Sequence, residues 1–490
     1  MKEIILSKSK YMMGLRCPKL VWCAFNNPEM IPPADADTQA RFDQGHEVGD
    51  WSKKRYPDGV EVEFEKGFEH TLTRTKELVS AKKTIFEASF KHKNTYCRVD
   101  ILIPCGDCWD LIEVKQTTQV KDEHIEDVAF QRYCLEGAGL HIRRCHLMHI
   151  NNEYVRQRAI DPESLLTIED ISEDVEEAME LVEENIADML NVINSKEMPD
   201  PEFGTECIDP KNCEVCGPTI PKDSVFELDR FGKKAMDLIN NGVTLIKDLP
   251  GTVRLSDKQK IQVYCLKTGK PHLEEAEIRR FLKGLKYPLH MLDFETVNPA
   301  IPLFDGTRPY QNIPFQMSLH IIEKSGSKAQ HFEFLAEDER DPRPAMIEAL
   351  HSIKPEGTVL AYNMSFERSV IEALLEMKPS EKWLHSIIDR LDDLIIPFRN
   401  YWYYHPAQHG SASIKKVLPA LTGRSYDDLE VKHGSQASRE FLEMNYKTGD
   451  KPKKSAAERE KLRRALLEYC KQDTEAMIDV LEVLQKSVGM

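Results

Sequence analysis

The chain has 490 residues, of which 41% are hydrophobic and 30% are charged, and its formal net charge is −16. This length predicts two or three domains with the composition of an ordinary globular protein. The acidic balance excludes a protein that coats polyanions non-specifically, but carboxylates that hold divalent ions and local basic patches are compatible with a nucleic-acid enzyme. No apolar run reaches the ~20 residues of a membrane span, and the N-terminus lacks a signal-peptide pattern, so we expect a cytoplasmic protein without a membrane partner.

Residues 1–220 predict a mixed α/β unit. The predicted elements are an amphipathic stretch over 38–54, strands over 95–104 and 108–115, a helix near 124–138 and an acidic helical segment over 161–194.

Residues 221–285 are polar and predict a helical connector, with a faint resemblance to a helix–turn–helix module as the alternative. From residue 286 the pattern changes and predicts a second α/β domain over 286–490. Its predicted elements are strands over 288–294, 318–322, 332–335 and 358–362 and helices over 341–353 and 456–486.

The N-terminal region contains an aspartate followed by a Glu-x-Lys motif in R-V-D-I-L-I-P-C-G-D-C-W-D-L-I-E-V-K. Because side chains alternate along a strand, Glu113 and Lys115 share a face, and Asp100 on the preceding strand of a hairpin reaches the same edge. Two carboxylates can bind a divalent ion while the lysine positions or activates water. The alternative is an ordinary amphipathic hairpin with a salt bridge. Glu87 on an earlier strand and Gln131 in the following helix extend the pattern.

This arrangement resembles the PD-(D/E)xK nucleases of the RecB type. The resemblance implies a restriction-endonuclease-like fold, metal ligands at Asp100 and Glu113, and catalytic roles for Lys115, Glu87 and Gln131. The histidine of these nucleases follows a helix glycine as G-x-x-x-H. Here F-D-Q-G-H-E-V-G places His46 three residues early, with Gly49 at the expected position. His46 is therefore either a metal ligand one turn back or an unrelated polar surface residue.

The cysteines are clustered in the N-terminal half. Twelve in a chain of this length are too few for a disulfide scaffold and indicate metal binding in a reducing compartment. Cys17 in L-R-C-P-K-L precedes the hairpin, and C-I-D-P-K-N-C-E-V-C supplies Cys207, Cys213 and Cys216 after it. This spacing resembles the iron–sulfur RecB-family nucleases, including the CRISPR-associated exonucleases and AddB-type helicase–nuclease subunits, in which a [4Fe–4S] cluster closes the domain.

Four thiolates suit either such a cluster or zinc. Cys105 and Cys108 are rival partners for Cys213 and Cys216 in a zinc-ribbon-like pair, but they lie at the tip of the predicted hairpin, and we favour the cluster. The remaining cysteines are expected to be ordinary buried thiols: Cys23, Cys97, Cys134, Cys145, Cys265 and Cys470.

The C-terminal region carries three further carboxylate-bearing segments. In L-H-M-L-D-F-E-T, Asp293 and Glu295 emerge on one strand face. The segment A-Y-N-M-S-F-E places Glu367 in a helix that follows a strand, and Y-C-K-Q-D places Tyr469 and Asp473 four residues apart on one helix face. Two-metal phosphodiester chemistry needs about four such carboxylates around ions ~3.5–4 Å apart. Surface carboxylates on an unrelated α/β domain are the alternative.

The set resembles the DEDD exonucleases with tyrosine in the last motif, which have an RNase H-like fold. The resemblance implies that Asp293, Glu295, Glu367 and Asp473 hold Mg²⁺ or Mn²⁺ while Tyr469 orients the attacking water. Glu367 departs from the aspartate usual in these enzymes, and Asp393 is a reserve carboxylate. The aromatics, serines and Lys415 of the stretch over 403–419 either contact substrate or form plain aromatic packing with a polar turn.

Together these patterns predict a nuclease with two separate sites, a PD-(D/E)xK site and a DEDD-type 3′–5′ exonuclease site. The expected partner is nucleic acid, with DNA ends or single strands favoured over RNA. The sequence does not identify a helicase, repair or defence protein as a further partner. The alternatives are an RNA-processing exonuclease, or a DNA-end-binding or assembly subunit whose nuclease sites are degenerate.

Overall fold

The computed structural model describes residues 4–64, 67–205, 207, 209–446 and 454–490. It falls into two compact units, which are described separately. Unit 1 comprises Met1–Ile220 with Pro299–Tyr310, and unit 2 comprises Pro221–Asn298 with Gln311–Met490. None of the helices in the described ranges is long and apolar enough to cross a membrane.

Unit 1 is a mixed sheet with helices packed against it. Its strands are β1 (Leu6–Ser7), β2 (Val60–Glu61), β3 (Ile85–His92), β4 (Thr95–Cys105), β5 (Cys108–Lys115), β6 (Ile142–Ile150) and β7 (Leu166–Asp170). Its helices are α1 (Lys8–Arg16), α2 (Pro18–Asn26), α3 (Ala36–Lys53), α4 (Phe68–Ser80), α5 (Asp122–Gly137), α6 (Pro162–Leu165) and α7 (Ser172–Asn194).

The strands of unit 1 lie in the order β2-β3-β4-β5-β6-β7, and β1 pairs with β4. The pairs β3–β4 and β4–β5 are antiparallel hairpins, whereas β5 and β6 run parallel with α5 between them. Alternating burial along β4 sends Val99 and Cys97 into an apolar core formed with α5 and α7. The opposite face packs on Val48 of α3 and on Ile301 of the 299–310 segment. The hairpin is therefore held between two apolar layers.

The acidic segment over 161–194 is not helical throughout. A short helix and β7, which pairs antiparallel with β6, take up its first part, and α7 begins only at Ser172. The buried residues of α7 recur at helical spacing as Val175, Val182, Ile186 and Met189, while its acidic face is exposed.

Unit 2 combines a five-stranded sheet, a two-stranded ribbon and ten helices among the residues described. Its strands are β8 (His272–Leu273), β9 (Leu289–Val297), β10 (Ile313–Ile322), β11 (Gln330–Leu335), β12 (Thr358–Ala361), β13 (Leu391–Asp393) and β14 (Tyr403–Tyr404). Its helices are α8 (Gly232–Asn240), α9 (Asp257–Thr268), α10 (Glu275–Gly284), α11 (Arg343–Ala349), α12 (Ser365–Met377), α13 (Leu384–Ile388), α14 (Ile396–Arg399), α15 (Ile414–Thr422), α16 (Gly434–Asn445) and α17 (Ala456–Ser487).

The main sheet of unit 2 has the order β11-β10-β9-β12-β13. Strand β10 runs antiparallel to both of its neighbours, β11 and β9, while β12 and β13 run parallel to β9. Leu292 and Phe294 of β9 point into a core shared with α11, α12 and α13. Helix α17 begins in a capping box between Ser455 and Glu458 and packs on β9 and β10.

Residues 221–285, expected as a separate connector, fall within unit 2. Strand β8 pairs with β14, and Cys265 of α9 is buried against the stacked rings of Tyr401 and Tyr404. Gln262 donates a hydrogen bond to the Glu227 carbonyl at 2.9 Å. The polar sequence of this region conceals the contacts of β8 and Cys265, because they depend on Tyr401, Tyr403 and Tyr404, which are more than a hundred positions away.

Candidate functional site

The hairpin of unit 1 brings Asp100, Glu113 and Lys115 to one edge. Ile101 of β4 pairs with Ile112 of β5. Extended by one residue, this register brings Asp100 opposite Glu113. The Asp100 carboxylate accepts a hydrogen bond from the Val114 amide at 2.7 Å. Glu113 is 1% exposed. The alternation of the strand thus places these side chains together, as the sequence predicts.

Two residues that the sequence analysis did not single out complete this group. Lys8 at the start of α1 donates to Glu113 Oε1 at 2.7 Å, and Lys115 donates to the same oxygen at 2.6 Å. Asp127 on α5 accepts from Lys115 at 2.6 Å. Asp127 precedes Gln131 by one helical turn, which is a signal that sequence reasoning could have used. Lys8 gives no such signal because it is 105 residues from Glu113.

The cations control the protonation of this group. Burial alone would raise the pKa of Glu113, but the Lys115 and Lys8 ammonium groups hold that pKa well below its usual range. Burial and the negative charge of Glu113 raise the pKa of Asp100 to about 7. The Lys115 pKa is above its ordinary value, because the attraction of Glu113 and Asp127 outweighs desolvation. The group therefore carries ionised Glu113 and charged Lys115 at neutral pH.

The other residues implied by the first resemblance are divided between the site and the surface. Gln131 donates to Glu113 Oε2 at 2.7 Å and to Asp127 Oδ1 at 3.0 Å, so it belongs to the group. Glu87 pairs with Arg98 at 3.2 Å, and its charge acts on Asp100. His46 is exposed on α3, and within the described ranges no hydrogen bond or ion pair joins it to the hairpin carboxylates.

The four cysteines of the predicted cluster are buried together. Cys17, Cys207, Cys213 and Cys216 lie in one apolar cluster with Leu20, Met13 and Trp22. Burial, followed by the neighbouring thiols, raises the pKa of Cys207 to about 12 and that of Cys216 to about 11.

Cys105 and Cys108 lie elsewhere in unit 1. Their Sγ atoms are 2.7 Å apart at the end of the hairpin. They lie beside Asp110, to which the Cys105 thiol is 3.8 Å away. The structure thus groups Cys213 and Cys216 with Cys17 and Cys207, and not with the rival pair.

In unit 2 the carboxylates of β9 and α17 converge. Ligand atoms of Asp293, Glu295 and Asp473 all lie within 4.8 Å of one another. Asp293 and Glu295 project from the face of β9 opposite to the core residues Leu292 and Phe294.

Helix α17 is fixed over this face by polar contacts to β10. The Thr474 hydroxyl lies 2.7 Å from the Ser318 hydroxyl and 2.8 Å from His320 Nδ1. Gln316 donates to the Leu466 carbonyl at 2.7 Å. These contacts fix the position of Asp473 of α17 relative to β9.

Glu367 on α12 is the fourth carboxylate. It is 2% exposed, and its Oε2 atom has no hydrogen-bond partner. Burial, with the charges of Asp393 and Asp473, raises its pKa to about 8 against a backbone hydrogen bond that lowers it. Its negative charge also raises the pKa values of Asp293 and Glu295.

The pKa values of the other three carboxylates rise as well. Burial and then the Asp473 charge raise the pKa of Asp293 well above its usual range and that of Glu295 to about 8. Burial raises the pKa of Asp473 to about 6, despite the lowering effects of Tyr426 and Lys415. Four buried carboxylates, three of which have pKa values raised by the charges of neighbouring carboxylates, form a site that is stabilised by protons or by cations.

A cation and two tyrosines border these carboxylates. Lys415 on α15 donates to the Tyr469 hydroxyl at 3.0 Å, and Tyr426 donates to Asp473 Oδ1 at 2.6 Å. The Cys470 thiol donates to Asp293 Oδ2 at 3.4 Å, so it contacts a site carboxylate. Gly434 at the start of α16 approaches the site closely, since an added Cβ would lie 3.2 Å from Glu295 Oε2 and would require that carboxylate to shift. Tyr426, Cys470 and Gly434 were not predicted as site residues.

The reserve carboxylate and the aromatic stretch have structural partners. Asp393 accepts backbone hydrogen bonds from Asn363 at 2.8 Å and Ile395 at 3.1 Å, so it caps the loop after β12. Tyr403 and Tyr404 are buried, and their rings therefore cannot stack on bases. Within that stretch, Lys415 is linked to the carboxylate site by its hydrogen bond to the Tyr469 hydroxyl.

Comparison with known proteins finds likenesses to a family model, to a curated protein and to a solved structure. Residues 290–413 match the family model described as a domain of unknown function, DUF2779. A protein of Mycoplasma pneumoniae named "Uncharacterized protein MG366 homolog" is 28% identical over 217 residues, a match that covers 38% of this chain and 31% of that protein. The chain thus spans about a third of that relative's length.

A solved structure titled "Crystal structure of SSO0001" covers 44% of this chain and 89% of its own, at 14% identity and a TM-score of 0.19. A TM-score this low carries no structural argument.

Proposed function

We propose that this chain is a metal-dependent nuclease whose principal site is the carboxylate group of unit 2. The observation that carries the proposal is the convergence of Asp293, Glu295 and Asp473 within 4.8 Å. Glu367 lies outside this group but is close enough for its charge to raise the pKa values of Asp293 and Glu295, and its buried Oε2 has no hydrogen-bond partner. An oxygen that is buried without a hydrogen bond costs free energy unless a cation compensates for it. Oxygen ligands of this kind suit Mg²⁺ and Mn²⁺.

The architecture of unit 2 supports an RNase H-like fold. Numbered along the chain, the five strands of its main sheet lie in the order 3-2-1-4-5, and only the second strand, β10, runs antiparallel to the other four. The carboxylates come from the first strand, from the helix after the fourth strand and from the last helix. This is the placement that the resemblance to the DEDD exonucleases implies.

The chemistry follows from the residues around the carboxylates. Divalent ions held by Asp293, Glu295, Glu367 and Asp473 would activate water and neutralise charge on the leaving oxygen. The Lys415 ammonium fixes the orientation of the Tyr469 hydroxyl, which can then direct an attacking water. Tyr426 donates to Asp473 Oδ1 at 2.6 Å, and hydrogen bonds from Tyr426 and Tyr469 partly offset the rise in the pKa of Asp473, which favours the ionised carboxylate that a cation needs.

Unit 1 is proposed as a second, PD-(D/E)xK nuclease site in a restriction-endonuclease-like fold. Asp100 and Glu113 would supply metal ligands, and Lys115 would act on water or phosphate. Both oxygens of Glu113 are already bonded to nitrogen donors. The residues therefore fit a divalent ion less well here than in unit 2, and no catalytic step is derived for this site.

The cysteine group of unit 1 is proposed to hold a [4Fe–4S] cluster, with Zn²⁺ as the alternative. The thiols of Cys17, Cys207, Cys213 and Cys216 are buried in one apolar cluster, which also contains Cys23, and four thiols are the donor set that either group requires. Such a group would link α1 to the loop over 213–216 and so close unit 1. Arg16 of α1 already reaches that loop through a 3.1 Å hydrogen bond to Glu214.

Cleavage assays test the proposal. End-labelled single- and double-stranded DNA and RNA are incubated in manganese with the wild type, Lys115→Ala, Asp293→Ala and the double variant. Two separable activities would support two nuclease sites, and the substrate panel distinguishes DNA from RNA. Loss in Asp293→Ala alone would leave unit 1 as a binding domain. A wild type that binds DNA and cleaves nothing would refute the nuclease proposal.

A further inference from the structure

The Glu113 carboxylate of unit 1 is fully engaged by nitrogen donors. Lys8 and Lys115 both donate to Oε1, at 2.7 and 2.6 Å, and Gln131 donates to Oε2 at 2.7 Å. Lys8 also lies 3.6 Å from Asp127, which Lys115 contacts at 2.6 Å. Two ammonium groups thus balance the two carboxylates of Glu113 and Asp127.

This arrangement differs from that of unit 2, where Glu367 keeps a buried oxygen without a partner. A divalent ion that entered beside Glu113 would meet two positive charges within hydrogen-bonding distance of its ligand. Repulsion between charges a few ångströms apart in a buried site is large. One of the two ammonium groups must therefore leave before such an ion binds.

Lys8 is the ammonium group that can leave. Lys115 belongs to β5 itself and bonds to both carboxylates at 2.6 Å. Lys8 is the first residue of α1, and its contacts are weaker, at 2.7 Å to Glu113 and 3.6 Å to Asp127. The side chains of Lys8 and Lys115 are similarly exposed, at 26% and 25%, so the weaker contacts of Lys8 decide which long stem turns toward solvent. The backbone before it is fixed, since Leu6 and Ser7 pair with Thr95 and Tyr96 of β4. Only the side chain of Lys8 has to move.

We propose that Lys8 is a positioning residue that occupies the cation position beside Glu113 and competes with a divalent ion for it. The proposal deepens the proposed nuclease site of unit 1 and rests on it. Lys8 holds the Glu113 carboxylate in place in the metal-free protein, and it keeps the site closed to divalent ions at low concentration. The site then loads only at higher metal concentrations than the site of unit 2.

Manganese binding to the full chain tests this directly. Asp293→Asn with Asp473→Asn serves as the parent, so that the carboxylates of β9 and α17 contribute no tight site, and free Mn²⁺ is measured by electron paramagnetic resonance during titration. Glu113→Gln in the same parent measures the Mn²⁺ bound elsewhere, including at Asp223, Glu227 and His409 of unit 2. Lys8→Met in this parent is expected to bind Mn²⁺ about tenfold more tightly, because one competing charge is lost. Lys8→Arg keeps the charge and is expected to bind as the parent does.

Lys10→Met is the matched control. Lys10 lies on the same helix and contacts Met13 rather than the carboxylates, and its substitution by methionine removes the same charge. Its variant is expected to bind Mn²⁺ as the parent does. Lys8→Gln provides a second neutral side chain should the methionine variant fail to fold.

The outcomes separate this inference from the proposed site. Equal or weaker binding in the neutral Lys8 variants, with binding abolished by Glu113→Gln, overturns the role of Lys8 and leaves the metal site standing. No manganese bound by the parent or by the neutral Lys8 variants overturns both. Equal tightening in Lys10→Met would mean that net charge alone acts, and it would also overturn the role of Lys8.

Discussion

Replacing Glu367 by glutamine removes one negative charge from the buried carboxylates of unit 2 while keeping the shape of the side chain. The pKa of Glu367 is raised from 4.5 to about 8 by burial and by Asp393 and Asp473. The folded state therefore holds the proton more tightly than the unfolded state does. The resulting stability is fully present below pH 4.5 and is lost as the pH rises through about 8.

The size of the effect follows from this rise. Since one pKa unit is about 1.4 kcal/mol, ionising Glu367 costs up to ~5 kcal/mol of folding free energy above pH 8. Glutamine must bury an amide in the same place, which offsets part of the gain. We expect Glu367→Gln to stabilise the metal-free protein by about 2 kcal/mol at pH 8.5 and by little at pH 5.

Urea unfolding in the presence of a chelator, at both pH values, measures this difference. Glu372→Gln is the matched control, because Glu372 lies on the same helix with its side chain exposed. With Mn²⁺ present the order should reverse, since the wild type gains a ligand-bound folded state that the variant binds less well. A Glu367→Gln protein that is destabilised in chelator at pH 8.5 would refute the idea that repulsion among carboxylates dominates this site.

Three further predictions concern the cations and the thiols. Lys415→Met should raise the pKa values of Glu295 and Asp473, so that Mn²⁺ binding to unit 2 requires a higher pH. Lys416→Met should leave the pH dependence of Mn²⁺ binding unchanged, and Mn²⁺ titrations at several pH values measure both variants. Cys213→Ser should lower the iron or zinc content and the melting temperature of the purified protein, and Cys265→Ser should leave the metal content unchanged, as elemental analysis and calorimetry would show. Lys115→Ala should destabilise the protein by roughly 3 kcal/mol in denaturant titrations, because it leaves Asp127 and Glu113 with less compensation.

The sequence predicts the parts of both sites that depend on local periodicity. Strand alternation places Asp293 with Glu295, and helical spacing places Tyr469 with Asp473, so these pairs could be expected without a structure. Tyr426 could not be expected, because it reaches Asp473 from a loop whose sequence has no periodic pattern.

The division into units shows the same limit. The break after Ile220 agrees with the composition, but the return of Pro299–Tyr310 to unit 1 does not follow from any local pattern. That segment joins unit 1 through long-range contacts, such as the hydrogen bonds from Arg156 to the carbonyls of Pro302 and Leu303. Contacts of this kind depend on tertiary packing, which the spacing of residue types along the chain does not encode.

The central claim is that the carboxylates of unit 2 hold divalent ions that cleave phosphodiester bonds. Its most direct test compares wild type with Asp293→Asn on single-stranded DNA labelled at the 5′ end, in manganese and in chelator. We expect the wild type to shorten the strand stepwise from its 3′ end only with manganese, and the variant to lose at least a hundredfold in rate, on the order of 3 kcal/mol in activation free energy. Equal stepwise shortening by the variant, or cleavage that persists in chelator, would contradict the account.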